Sequence, residues 1–211
     1  MKVKICGLRT EEAVFAAEDA GADFLGFIFY EKSRRHVLPE AVRDITKHVR
    51  RAGKVGVFVD APLDEVNAIA AFCGLDFVQL HGHESADYAR DIHRPVIKAF
   101  RWGDDFSAAA ANAYPAEIIL LDSFSKTAVG GTGQCFRWLE AAEETRRLEK
   151  PLLVAGGVAS DNVQEAGEIF RPYGVDVSGS LETEGQKSVE KIEEFMAVVK
   201  NGRLYDERYS G

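Results

Sequence analysis

The chain has 211 residues, 46% hydrophobic and 28% charged, with a net charge of −8 at pH 7. That length suits one large globular domain, and the acidic balance leaves no electrostatic footprint for nucleic acid. No apolar run approaches the roughly 20 residues that cross a bilayer, and a strand pattern starts at once with no leader. Three cysteines, Cys6, Cys73 and Cys135, make neither a disulfide framework nor a zinc pattern, so a reducing cytoplasmic setting is expected.

Eight short apolar runs read as buried strands: Val3–Gly7, Asp23–Phe29, Lys54–Asp60, Phe77–Gly82, Val96–Phe100, Glu117–Ser123, Leu152–Gly157 and Val175–Ser180. Between them the apolar residues move to helical spacing, as at Leu38, Val42, Ile45 and Val49, or at Val66, Ile69, Ala70 and Cys73. Pro39 and Pro62 stand where helix starts tolerate proline. The fifth unit is the weakest, its alanine-rich Asp104–Tyr114 suiting a short or irregular helix. Strict alternation implies a parallel sheet, and eight units can close into a (β/α)8 barrel over residues 1–200, with 201–211 as a polar tail. Cys73 and Cys135 fall in helical patterns and are expected to pack in the core.

Strand parity carries the reading from fold to site, because residues two apart share a face. Lys4 and Cys6 oppose Val3 and Ile5; Gln79 and His81 oppose Val78 and Leu80; Asp122 opposes Ile119 and Leu121. Lys98 likewise opposes Ile97 and Ala99, and Asp176 and Ser178 oppose Val175 and Val177. If the apolar sets meet the helices, these polar sets point into the barrel, most of them near the strand ends where barrel active sites sit. Buried unpaired charges are costly, so the pattern points to an enzyme. In the last third, two strands run into small residues, at Gly156-Gly157 and at Ser178-Gly179-Ser180. Such turns let backbone N–H groups approach an anion, and loops seven and eight of a barrel are where a phosphate cradle forms. Taken alone, Gly156-Gly157 is equally a tight strand-to-helix turn, Cys6 a small buried hydrophobe, and His81 a satisfied interior histidine.

With these residues in view, the sequence resembles the phosphoribosylanthranilate isomerases. The matching segments are KICGLRT (Lys4–Thr10), GADFLGFIFYEKSRRHV (Gly21–Val37), VGVFVD (Val55–Asp60), VQLHG (Val78–Gly82), LLDS (Leu120–Ser123), GGTG (Gly130–Gly133), AGGV with DNV behind it (Ala155–Val163) and GVDVS (Gly174–Ser178). The resemblance implies a cofactor-free and metal-free aldose–ketose isomerisation, the Amadori rearrangement of N-(5-phosphoribosyl)anthranilate in tryptophan biosynthesis. It implies Asp122 as the general acid that protonates the ring oxygen and Cys6 as the base that takes the proton next to the imine. An acid at Asp122 has to hold its proton near neutrality, and Lys4 is a candidate cation to favour the Cys6 thiolate. Arg35 matches the arginine that faces the anthranilate. Asp176 matches an aspartate at the base of the site that orients substrate or Arg35. Gly131, Thr132 and Gly133 match a loop over the substrate, and Gly156, Gly157, Ser178 and Gly179 the phosphate cradle. The partner is a small molecule, with no nucleic acid or membrane, and a monomer and a homodimer both fit.

Two departures stand out. Arg34 occupies a position that is usually proline in the family, which leaves open whether Arg34 or Arg35 faces the ligand. Ser178-Gly179-Ser180-Leu181-Glu182 stands where the family commonly reads Ser-Ser-Gly-Val-Glu, so the choice of phosphate donors is open. Glu182 is expected at the start of the next helix, in a structural role only. The rival readings are a metal-dependent sugar-phosphate epimerase and a non-catalytic sugar-phosphate-binding barrel. A broader isomerase that also serves histidine biosynthesis would usually carry aspartate in place of Cys6 and a second phosphate motif in its first half.

Overall fold

The computed structural model describes residues 1–103, 106–122 and 133–202, with 133–137 described by their backbone alone. Among them, eight parallel strands close into a barrel in sequence order. The strands are β1 (Lys2–Cys6), β2 (Phe24–Ile28), β3 (Gly53–Phe58), β4 (Phe77–Leu80), β5 (Val96–Arg101), β6 (Ile118–Asp122), β7 (Leu152–Ala155) and β8 (Gly174–Val177). β1 pairs with β8, setting Lys4 beside Asp176 and shutting the ring. The helices are α1 (Glu11–Asp19), α2 (Pro39–Ile45), α3 (Leu63–Phe72), α4 (Ala86–Arg90), α5 (Ala108–Ala113), α6 (Gly133–Thr145), α7 (Val163–Phe170) and α8 (Val189–Asn201). Their starts are chemically marked. Thr10, Ser85, Ser107 and Ser188 each accept a first-turn N–H through a hydroxyl, and Pro39 opens α2. The short α5 agrees with the alanine-rich fifth unit. No described helix is long and apolar enough to cross a membrane.

The two faces of the sheet build two apolar layers. Val3, Ile5, Leu25, Phe27, Val78, Leu80, Ile119, Leu121, Val154, Val175 and Val177 meet the helices on the outside. Phe24, Val55, Ile97, Ala99, Ile118, Leu120, Leu153 and Ala155 form a smaller cluster within the barrel. This second set corrects the reading of β5. Ile97 and Ala99 face inward, so Lys98 points outward into the sheet–helix layer. There its Nζ donates to Glu84 Oε2 at 2.8 Å and to the carbonyls of Gly82 and Leu80 at 2.7 and 3.4 Å. Strands of a parallel barrel are buried on both faces, and β5 is apolar on both. Alternation there cannot distinguish inside from outside.

A second correction follows β8. The chain does not enter α8 directly but forms a 3-10 turn (Gly179–Leu181) and a hairpin of β9 (Glu182–Thr183) and β10 (Gln186–Lys187), the last two pairing antiparallel. Glu182 therefore opens a strand rather than a helix, and its carboxylate meets side chains from across the barrel mouth. Cys73 ends α3, buried, with its Sγ against the Pro39 carbonyl at 3.4 Å. The side chain of Cys135 and the tail from 203 onward lie outside the described residues.

Candidate active site

The barrel interior turns polar toward the C-terminal ends of its strands. Lys4, closed to solvent, donates to Asp176 Oδ1 at 2.9 Å, an ion pair between neighbouring strands in register. Burial disfavours the ammonium, but the charges of Asp176 and Cys6 outweigh it and hold Lys4 above the usual lysine range. Cys6 follows on the same face, opposite Gly26 of β2. A Cβ at Gly26 would lie 2.9 Å from Cys6 Sγ and 3.1 Å from Lys4 Nζ, so the missing side chain is the space that sulfur and ammonium share. Burial pushes the Cys6 thiol up, more than the Lys4 charge pulls it down, and Asp176 adds to the rise. The expectation that Lys4 favours the thiolate thus holds in direction, but Lys4 is already committed to Asp176 and does not outweigh burial.

Across the ring, Asp122 ends β6 three strands from Cys6. His81 faces it, with Nε2 at 3.9 Å from Asp122 Oδ2. The other ring nitrogen, Nδ1, lies 2.9 Å from Gln79 Nε2. Burial lowers the His81 pKa more than Asp122 raises it, so the ring is neutral at neutral pH.

On the adjoining rim, Gly156 and Gly157 take φ of 85° and 87°, which glycine adopts without the clash a Cβ brings. A Cβ on Gly157 would meet nothing within 4 Å, so that side of the turn is open. Asn162 braces the loop, accepting from Ala159 N and donating to Gly157 O, both at 2.9 Å. The 3-10 turn after β8 is tied to it: Ser180 Oγ donates to Val158 O at 2.7 Å, while Ser178 Oγ donates to Cys6 O at 2.9 Å. Two glycine-bearing turns thus stand together beside Cys6, a geometry suited to a phosphate.

Arg35 reaches this rim from the loop after β2. Its stem lies across Gly7, where a Cβ would come within 2.6 Å of Arg35 Cδ, and its Nη2 lies 3.2 Å from the position of a Cβ on Gly179. The guanidinium is held by Glu182, not by Asp176: Nε donates to Oε1, and Nη2 to Oε2 at 3.2 Å. Arg34 also reaches Oε2, at 2.9 Å, but from an exposed position. Lys187 Nζ takes Oε1 at 2.9 Å from within the hairpin. Burial alone would raise the Glu182 pKa, yet the hydrogen bonds from Arg35 and Lys187 bring it down to about 2.

A family model for N-(5'phosphoribosyl)anthranilate (PRA) isomerase matches residues 3–198. The chain belongs to that family. It is 44% identical over 201 residues to the N-(5'-phosphoribosyl)anthranilate isomerase of Desulforamulus reducens, covering 95% of each chain. It is 45% identical over 201 residues to that of Geobacter sp. strain M21, covering 94% of this chain and 98% of the other. The PRA isomerase of Thermotoga maritima superposes with a TM-score of 0.85 at 34% identity, over 95% of this chain and 99% of that one. A PRA isomerase in complex with reduced 1-(o-carboxyphenylamino)-1-deoxyribulose 5-phosphate gives 0.83 at 32% identity, over 95% and 99%.

Within this PRA isomerase fold, Cys6, Arg35, Gly156, Gly157, Asp176, Ser178 and Gly179 come together at one end of the barrel, with Asp122 on the facing side. Gly131 and Thr132 lie outside the described residues, and Gly133 is the first residue of α6. Sequence reasoning missed the reach of Glu182 and all of Lys187. Lys187 sits two residues past Gly185, in a two-residue strand with no periodicity to read. A metal-dependent epimerase would need converging His and carboxylate ligands. Among the described residues no group of three or more His, Cys, Asp or Glu is arranged to hold a metal ion.

Proposed function

We propose that Asp122 and Cys6 are the acid–base pair with which this chain carries out the reaction of its family. The protein is an isomerase of tryptophan biosynthesis: it converts N-(5'-phosphoribosyl)anthranilate to 1-(2-carboxyphenylamino)-1-deoxyribulose 5-phosphate. Asp122 gives its proton to the furanose ring oxygen as the C1–O bond breaks, leaving an iminium between C1 and the anthranilate nitrogen. That cation acidifies the C2 proton, which the Cys6 thiolate removes to give an enolamine. Proton transfer from the C2 hydroxyl to C1 then yields the ketone.

What supports the reading is one arrangement: Cys6 and Asp122 end strands on facing sides of the ring, with the two glycine turns between them on one rim. A substrate gripped by its phosphate at Gly156, Gly157, Ser178 and Gly179 lies across the mouth and is reached from both sides. Burial holds the Cys6 thiol up, and the iminium, formed next to it, supplies the positive charge that Lys4 has given to Asp176. Ionisation of the base is thereby coupled to ring opening. Asp176 acts by fixing Lys4 beneath the sulfur, and Arg35 takes the anthranilate carboxylate with its planar fork. The catalytic unit is the barrel of residues 1–200, its partner is a small molecule, and the setting is cytoplasmic.

The test is an assay of EDTA-treated protein with fresh phosphoribosylanthranilate, following loss of anthranilate fluorescence, beside Cys6→Ala and Asp122→Ala. Turnover by the parent that collapses in both variants is expected. A parent that binds a ribulose-phosphate product analogue without turning over substrate would replace this reading with a non-catalytic one.

A further inference from the structure

Glu182 was expected to do no more than start a helix, yet its carboxylate gathers three cationic side chains at the barrel mouth. Its side chain is 6% exposed and accepts from Arg34, Arg35 and Lys187. Lys187 is its cross-strand partner in the hairpin, 3% exposed, and also donates to Ser178 O at 3.1 Å. The Glu182 carbonyl accepts from Lys191 Nζ at 2.7 Å, pinning the strand to α8. Arg9 fastens the same pieces from outside, donating to Gly185 O at 2.8 Å and Arg34 O at 3.1 Å. Hairpin, β8 turn and Arg34-Arg35 loop are therefore one braced unit.

Arg35 makes both of its bonds to Glu182 through Nε and Nη2. The second terminal nitrogen, Nη1, is not used by Glu182 and remains for a second carboxylate. Three cations around one carboxylate leave the cluster with surplus positive charge beside Cys6, so an anion is still attracted there. The difference in exposure selects between the two arginines: Arg34 is 66% exposed and Arg35 21%, and only Arg35 crosses Gly7.

We propose that Glu182 is a positioning residue for substrate recognition, clamping Arg35 by its Nε–Nη2 edge so that its free edge meets the carboxylate of the anthranilate ring. An unclamped arginine would have to be ordered at each binding event, which weakens binding. Lys187 offsets the second negative charge, so that Glu182 orients Arg35 without cancelling it. The proposal rests on the reading that Arg35 takes the substrate carboxylate.

The experiment compares two substrates, phosphoribosylanthranilate and N-(5-phosphoribosyl)aniline, which lacks the carboxylate, in the parent, Arg35→Met, Glu182→Gln and Glu182→Asp. Folding is checked by circular dichroism and thermal melting. For the anthranilate substrate, Glu182→Gln is expected to raise KM about tenfold or more while kcat falls much less. For the aniline substrate, parent and variant should agree within about twofold. Glu182→Asp, which keeps the charge on a shorter stem, should fall between, and it carries the comparison if Glu182→Gln does not fold. An equal loss on both substrates would make Glu182 a structural brace only. A lower KM in Glu182→Gln would make it a competitor for Arg35. If Arg35→Met itself treats both substrates alike, the carboxylate reading falls instead.

Discussion

Lys4 and Lys98 make an instructive pair. Both are buried lysines on barrel strands, and each donates to one carboxylate, Asp176 at 2.9 Å and Glu84 at 2.8 Å. They face opposite sides of the sheet. Lys4 lies inside, next to the sulfur of Cys6, and its charge is felt by that thiol, the proposed base. Lys98 lies outside, over the ring of Tyr114 at 5.6 Å. Its partner Glu84 accepts the backbone N–H groups of Asp60 and Gly82, so that pair ties together the ends of β3 and β4. The same chemistry adjoins the proposed base on one face and sets loop geometry on the other. What separates them is the side of the strand.

The broadest challenge to that division is at the reacting groups. Cys6→Ala and Asp122→Ala should each lower kcat by about 10²–10⁴-fold with little change in melting temperature. An equal loss from a Lys98 variant that remained folded would erase the distinction. Next, Lys98→Met should keep kcat within a few-fold of the parent but cost about 3–5 kcal/mol in urea unfolding, since Glu84 is left buried without its cation. Lys4→Met should also destabilise and, in addition, change the pH profile. Removing a positive charge raises the Cys6 pKa further, so the alkaline rise of kcat/KM should move to higher pH. A Lys4→Met profile that overlaid the parent would place Lys4 beside Lys98 as scaffold. Gly26→Ala sharpens the point within the site: its Cβ falls 2.9 Å from Cys6 Sγ, so kcat should drop by about tenfold with KM nearly unchanged.

The smallest expected effect lies at acid pH. Glu182 is held at about 2, below its unfolded value near 4.5. Its stabilisation is complete above about pH 4.5 and is lost as the pH falls from there toward 2. Glu182→Gln should flatten that part of the stability–pH curve, measured by denaturant midpoints across the range. An unchanged slope would mean that other carboxylates carry the acid sensitivity.

The barrel itself was legible because alternation of apolar runs and helical spacing is a local signal, and all eight strands fall within about two residues of their expected starts. Inward parity was also legible where one face alone was polar, as at Lys4, Cys6, Gln79, His81 and Asp176. It failed at Lys98 because Val96 and Phe100 on one face are as apolar as Ile97 and Ala99 on the other. Glu182 was misread for a different reason. A 3-10 turn and two two-residue strands are too short to leave a periodic trace, and two of the three partners of this glutamate, Arg34 and Arg35, are about 150 residues away. Contacts of that sequence separation follow from the closed ring and from no local pattern.

The exchanged Ser-Gly-Ser order after β8 has a consequence for how an anion would be gripped there. A hydroxyl carries one proton, and in this turn both protons are committed, that of Ser178 to the Cys6 carbonyl and that of Ser180 to the Val158 carbonyl. Each oxygen can then offer a phosphate only its lone pairs, which repel. The serines act as rivets between neighbouring loops, and in the proposed phosphate site the holding of a dianion would pass to main-chain amides, which every residue but proline carries. Side-chain order in the turn is then free to drift, provided that the rivets land on the same carbonyls.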